Sequence, residues 1–152
     1  MKVLLAIDGS EFSKDAIDEL AAMSLPKLVK IYVLNVYENP MLTVPGAFPL
    51  SGIGHYKEEA MSNAKKSAET IVNNAAKSLK QKNGKLSITT NIVEGFPKNA
   101  ILEKATDLEV DLIVLGSQGH GAFSRFLLGS VAQSIAMHAH CSVLIVRKKH
   151  QK

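Results

Sequence analysis

The sequence contains 152 residues, of which 46% are hydrophobic and 21% are charged, and this composition excludes both a disordered and a fibrous chain. Its length is typical of one globular domain, which we expect to span residues 1–152. The net charge is +4, yet four basic residues lie within 147–152, and residues 1–146 carry 14 basic and 14 acidic side chains. Because aromatic residues make up only 5% and the body is electrically balanced, we expect no nucleic-acid binding.

Two further features indicate where the protein works. The apolar run near the start, Val3–Ile7, is much shorter than the ~18 residues of a membrane span, and it is too short for a signal peptide. The single cysteine, Cys141, excludes an intrachain disulfide and agrees with a reducing compartment. We therefore expect a soluble cytoplasmic protein that does not interact with membranes.

The first third of the chain predicts two buried strands separated by a helix. Val3–Ile7 is apolar without alternation, which is typical of a strand covered on both faces, and residues 29–37 predict a second such strand. Between them, Ser10 caps a helix whose apolar positions recur every three or four residues until Pro26. Residues 38–54 contain three prolines and three glycines and predict a long loop, either a lid over a ligand or a plain surface loop.

The rest of the chain predicts three more pairs of a helix and a strand. A long helix with an alanine-rich face precedes a strand whose apolar and polar residues alternate, as they do at a sheet edge. Pro97 suits the first position of the next helix. The predicted elements are helix 60–83, strand 86–92, helix 97–108, strand 111–115, helix 129–137 and strand 142–146.

Strands that alternate with helices predict an α/β fold: a single-domain, open, twisted parallel sheet of five strands, Rossmann-like, with helices on both faces. Placing the polar third strand at an edge gives the strand order 3-2-1-4-5. The winding then reverses between strands 1 and 4, and ligands of such sheets bind outside the carboxyl ends at the reversal. We therefore expect the functional site where these two strands end, beside Asp8 and Gly116.

A glycine-containing loop after the fourth strand is a candidate phosphate site. Gly116-Ser117-Gln118-Gly119-His120-Gly121 is followed by Gly129-Ser130 at the start of a helix, where main-chain N–H groups bind anions. A Cβ atom at Gly116 or Gly119 would hold a phosphate away from the main chain. The spacing is neither a Walker A loop nor a complete dinucleotide fingerprint, so a tight turn without a ligand is the alternative interpretation.

The same glycines carry a resemblance to the universal stress protein family. Gly116-x2-Gly119-x9-Gly129-Ser130 reproduces the nucleotide-binding signature G-x2-G-x9-G-S/T of that family without a gap. The other segments that resemble the family are 6–10, 95–97, 111–114 and 141–147. Members with this signature bind ATP, usually with a divalent metal, so the resemblance implies ATP and Mg²⁺ or Mn²⁺ as ligands of this chain.

The resemblance also implies roles for individual residues. Ala6 and Val36 would contact the base, partly through main-chain hydrogen bonds, and Asp8 would lie near the ribose and the metal. Asp8 is also suited to capping the turn before the first helix. The residues implied to hold the phosphates are Gly116, Gly119, Gly129 and Ser130. The surrounding segments contribute Ser117, Gln118, His120, Gly121, Val131 and Ala132.

Three functions are compatible with these residues. The first, which we expect, is an ATP-binding regulator that forms a homodimer through the apolar fifth strand and acts on a protein partner that the sequence does not identify. The second is a slow, metal-dependent ATP hydrolase or phosphotransferase, which is disfavoured because the sequence shows neither a phosphate-loop lysine nor a catalytic base. The third is a ligand-free interaction scaffold.

Overall fold

The chain folds into strands and helices in strict alternation. A computed structural model describes residues 1–39, 54–120 and 127–147. The elements in chain order are β1 (Lys2–Ala6), α1 (Glu11–Ala22), β2 (Lys30–Tyr37), α2 (Gly54–Lys82), β3 (Ser87–Glu94), α3 (Pro97–Asp107), β4 (Leu112–Gly116), α4 (Ser130–His138) and β5 (Ser142–Val146). These elements confirm the predicted sequence of strands and helices. Most of the predicted long loop, residues 40–53, and the end of the basic tail, residues 148–152, lie outside the described residues.

The five strands form one parallel sheet in the order β3-β2-β1-β4-β5, which confirms the predicted fold class. Ala6 at the end of β1 lies between Leu34 of β2 and Leu115 of β4. The winding reverses between β1 and β4, so the carboxyl ends of these two strands leave a crevice. β3, the strand with alternating polar residues, lies at one edge as predicted.

Two apolar clusters cover the two faces of the sheet. Val3 and Leu5 of β1 pack in the cluster that contains apolar residues of α1 and α2. Leu4 and Ala6 pack in the cluster that contains apolar residues of α3 and α4. β1 is therefore buried on both sides, which explains why its sequence is apolar without alternation.

α2 begins earlier than the sequence predicts. Its first residue is Gly54, whereas the apolar periodicity begins at residue 60. Residues 56–59 are exposed, so they form no buried apolar face that would impose a periodic pattern on the sequence. α2 is the longest helix of the described ranges at 29 residues, and neither it nor any other helix there is long and apolar enough to cross a membrane.

Candidate functional site

A cavity of about 470 Å³ lies at the crevice between β1 and β4. This volume is within the range of small-molecule sites. An apolar wall is formed by residues of β1, β2, β4 and α3, namely Ala6, Leu34, Val36, Pro97, Ile101 and Leu115. Polar groups come from the turn after β1, from the start of α1, from the segment after β4 and from the start of α4, namely Asp8, Ser13, Gln118, Gly119, His120, Gly129 and Ser130. The cavity thus presents an apolar region and a polar region to one ligand.

Asp8 follows β1 and caps the turn into α1. Its Oδ1 atom accepts hydrogen bonds from the main-chain N–H of Ser10 at 2.9 Å and from the Ser13 hydroxyl at 2.7 Å. The Ser13 oxygen in turn accepts a hydrogen bond from the main-chain N–H of Asp8 at 2.9 Å. Gly9 has φ +84°, a left-handed conformation that favours glycine. The turn therefore fixes the direction of the Asp8 carboxylate.

The Asp8 carboxylate is held in its ionised form. Burial raises the pKa of Asp8, but hydrogen bonds from Ser10 and Ser13 and the electrostatic influence of His120 lower it by more. The resulting pKa lies below the ordinary value of 3.8. The cavity therefore contains a fixed negative charge at neutral pH.

Two of the signature glycines are required by contacts within the protein. A Cβ atom at Gly116 would lie 2.7 Å from the main-chain carbon and oxygen of Phe12, so a side chain there would push β4 and α1 apart. A Cβ atom at Gly119 would lie 2.6 Å from Oδ2 of Asp8. The absence of a side chain at Gly119 therefore leaves space for Oδ2 of Asp8. The sequence had suggested only that a glycine is needed there to let a phosphate approach.

The segment after β4 is tied to β5 and to the start of α4. The main-chain N–H of Ser117 donates to the carbonyl of Val146 at 2.8 Å, and the carbonyl of Ser117 accepts from the N–H of Gly129 at 2.8 Å. The side chain of Gln118 donates to the carbonyl of Leu127 at 2.6 Å. Ser117 is buried at 5% exposure and is not among the residues that line the cavity.

His120 connects the two sides of the crevice. Its Nε2 atom lies 2.8 Å from the main-chain oxygen of Asp8, and the bond requires a proton on Nε2. The loop after β4 is thereby joined to the turn after β1. Gly121, the next residue of the predicted site, lies outside the described residues.

α4 points its N-terminus into the cavity. Gly129 is the N-cap residue, and its carbonyl accepts a hydrogen bond from the N–H of Gln133 at 2.9 Å. This is the first hydrogen bond of the helix. The N–H groups of Ser130, Val131 and Ala132 come before it and therefore have no partner within the helix. All three residues line the cavity, and the first turn contains no acidic residue. The partial positive charge of the helix end therefore favours an anion here.

The residues that line the cavity fit a metal ion that is bound together with a phosphate. Within the described ranges, no three His, Cys, Asp or Glu side chains lie close enough together to hold a metal. Asp8 supplies the carboxylate among the described lining residues. Mg²⁺ commonly uses one or two carboxylates together with substrate phosphates and water. The described residues alone therefore do not make a complete metal site in this cavity.

The structure brings most of the predicted site residues together. The predicted residues that line the cavity are Ala6, Asp8, Val36, Gly116, Gln118, Gly119, His120, Gly129, Ser130, Val131 and Ala132. The sequence did not single out Ser13, which orients Asp8, or the lining residues Leu34, Pro97, Ile101, Leu127 and Leu128. The sequence did contain a signal for Ser13, because this serine lies three residues after the helix cap Ser10. The apolar lining residues gave no such signal, because their sequence pattern is the same as that of core residues.

Comparisons with known proteins give matches along nearly the whole chain. The model of the Universal stress protein family matches residues 1–147. The chain is 31% identical over 150 residues to Universal stress protein YxiE of Bacillus subtilis, covering 96% of this chain and 98% of that protein.

Two solved structures share the fold. The structure of the hypothetical protein MJ0577 superposes with a TM-score of 0.81 at 25% identity, covering 99% of this chain and 97% of the other. The structure of a universal stress protein in complex with cAMP gives a TM-score of 0.68 at 26% identity, covering 98% of each chain.

Proposed function

Because the chain belongs to the universal stress protein family, we propose that it binds ATP in the cavity between β1 and β4 and acts as a nucleotide-responsive regulator. The observation that carries this proposal is the shape of one cavity in which an apolar wall faces the N-terminus of α4. An adenine base and a phosphate chain need these two environments side by side. The relative in complex with cAMP, an adenine nucleotide, supports the same ligand class.

We assign each part of the nucleotide to a wall of the cavity. The base would lie against Ala6, Val36 and Ile101, where apolar surface is available. The phosphates would accept hydrogen bonds from the N–H groups at the start of α4 and from the Ser130 hydroxyl.

A divalent cation completes the proposed complex. Asp8 is ionised, so without a cation its charge would repel the phosphates. Mg²⁺ or Mn²⁺ would be held by Oδ2 of Asp8 together with the phosphates, and would neutralise charge there. Oδ1 is already used by Ser10 and Ser13, which leaves Oδ2 as the oxygen for this role.

A regulatory role fits the cavity better than fast catalysis does. No Lys or Arg is among the described residues that line the cavity, whereas efficient phosphoryl transfer uses a fixed cationic side chain and a group that positions the nucleophile. The His120 Nε2–H is engaged with the carbonyl of Asp8. We therefore propose that a protein partner recognises whether the nucleotide site is occupied. We also propose that the protein is a cytoplasmic homodimer paired through β5.

Calorimetric titration with ATP and Mg²⁺ tests the proposal. We expect wild-type protein to bind and Gly119→Val to lose about a hundredfold in affinity, because the side chain displaces Oδ2 of Asp8 and enters the phosphate region. Gly84→Val is the matched control, since a Cβ atom there meets nothing closer than 3.8 Å. Unchanged affinity in a Gly119→Val variant with native circular dichroism would refute the phosphate site.

Measured turnover separates the regulator from the hydrolase. We expect ATP hydrolysis far below the ~1–100 s⁻¹ of kinases. A rate in that range that Asp8→Asn abolishes would make the protein an enzyme. Absence of any nucleotide binding by the wild-type protein would leave the ligand-free scaffold as the better account.

A further inference from the structure

The outer edge of β3 is an open strand edge. β3 is the last strand of the sheet on its side, and within residues 1–39, 54–120 and 127–147 no other strand pairs with that edge. It is eight residues long, whereas the opposite edge strand, β5, has five. Main-chain N–H and C=O groups along such an edge are available to another extended chain.

β3 lacks the features that usually protect a sheet edge. Its sequence, Ser-Ile-Thr-Thr-Asn-Ile-Val-Glu, contains no Lys, Arg or Pro, and its charged residue is the final Glu94. Thr, Ile and Val also favour extended structure. The edge is therefore suited to pairing with a strand.

The surface beside this edge is basic. Residues 70–93 contain Lys77, Lys80, Lys82 and Lys85 and no Asp or Glu. Lys82 is paired with Asp18 of α1 at 2.6 Å. The other three lysines are exposed and form no ion pair within the described part of the chain. The edge and its lysines therefore carry a net positive charge.

A shallow groove joins the basic helix surface to the edge strand. Lys77, Lys80 and Gln81 of α2 line one side of the groove, and Ile88 and Thr90 of β3 line the other. A strand added to β3 would place every second side chain over this groove, because successive side chains of a strand point to opposite faces. Those side chains would meet the two lysine ammonium groups.

We propose that the outer edge of β3 binds an extended acidic segment of a partner protein, which adds a sixth strand and places alternate Asp or Glu side chains over Lys77 and Lys80. A second copy of this chain fits poorly, since two β3 edges side by side would bring these lysines close to their own copies. A nucleic acid would satisfy the lysines but not the main-chain groups of the edge. The chemistry therefore favours a polypeptide.

Fluorescence anisotropy with a labelled peptide of alternating Glu and Val tests this surface. We expect the peptide to bind the full-length wild-type protein, and Lys77→Glu combined with Lys80→Glu to weaken binding by about tenfold or more at low salt. Lys65→Glu combined with Lys66→Glu is the matched control, because both lysines are exposed on α2 away from the groove. We expect the control pair to leave most of the affinity intact.

A second peptide separates strand addition from simple charge attraction. The same sequence with every main-chain nitrogen methylated keeps its charge but has no main-chain N–H on either edge to donate to β3, and we expect it not to bind. Failure of the unmodified peptide to bind, or equal binding of the methylated peptide, would overturn the proposal. Tighter binding of a single-stranded oligonucleotide with the same dependence on Lys77 and Lys80 would also overturn it in favour of a nucleic-acid surface.

Discussion

Gly116, the last residue of β4, lies against Phe12 in the first turn of α1. A Cβ atom there would be 2.7 Å from the main chain of Phe12. Because main-chain atoms of a helix cannot rotate away as a side chain can, we expect Gly116→Ala to lower the free energy of unfolding by about 1–3 kcal/mol. Urea unfolding followed by circular dichroism measures this value. Gly84→Ala, with its open surroundings, should change stability by less than about 0.5 kcal/mol, and equal losses in both variants would contradict the packing argument.

Asp8 should make stability depend on acid pH. Its pKa in the folded protein lies below 3.8, so the ionised carboxylate contributes stability that is fully present above pH 3.8 and is lost as pH falls through the folded value. Asp8→Asn retains an Oδ1 acceptor for Ser10 and Ser13 but has no charge. We expect the stability difference between wild type and Asp8→Asn to shrink as the solution is acidified. Urea unfolding at a series of pH values checks this, and a difference that stays constant through the acid range would show that the carboxylate is not stabilised by folding.

At the scale of elements, the start of α4 allows helix stability and ligand affinity to be separated. Ser130→Glu places a negative charge at the first helical position, where the helix dipole favours it, so we expect unchanged or slightly higher stability. The same charge should repel phosphates and weaken ATP binding by about tenfold or more. Calorimetry and thermal unfolding measure the two effects. Gln133→Glu, exposed and absent from the cavity lining, should leave ATP affinity nearly unchanged.

The helices and strands were predictable because their apolar patterns report directly on burial. Residues 3–6 of β1 are all apolar since helices cover both faces of the sheet, and β3 alternates since it lies at an edge. The early start of α2 was missed because residues 56–59 are exposed and carry no apolar periodicity. The strand order followed from connection rules and from the polarity of a single strand.

The details of the site depend on contacts between residues far apart in the chain. His120 contacts the main chain of Asp8, 112 residues away, and Asn35 of β2 donates to the carbonyl of Ile7 at 2.8 Å. Neither contact leaves a local pattern in the sequence. The requirement for glycine at 116 and 119 was predicted, but its reason within the protein became visible only when α1 and Asp8 were placed beside them.

At the scale of the whole molecule, β5 is the edge that we expect to form the homodimer. Val143, Leu144 and Ile145 are only half-buried although they are apolar, so association would cover surface that one chain leaves exposed. Light scattering should give about twice 16.4 kDa, and Ile145→Lys should shift the mass toward the monomer. Because Ile145 also packs on the core, its unfolding transition must be shown to remain cooperative. A wild-type mass of 16.4 kDa would contradict the expected dimer.

We propose that ATP binds at the crevice between β1 and β4, with its phosphates at the start of α4. An NMR titration of main-chain N–H signals with ATP and Mg²⁺ tests this position most directly. We expect the largest shifts at Gly119, Ser130, Val131 and Ala132, and little change at Thr89 on the distant edge strand. Saturable shifts confined to another surface, or no shifts at ATP concentrations that saturate the calorimetric signal, would show that ATP does not bind at this crevice.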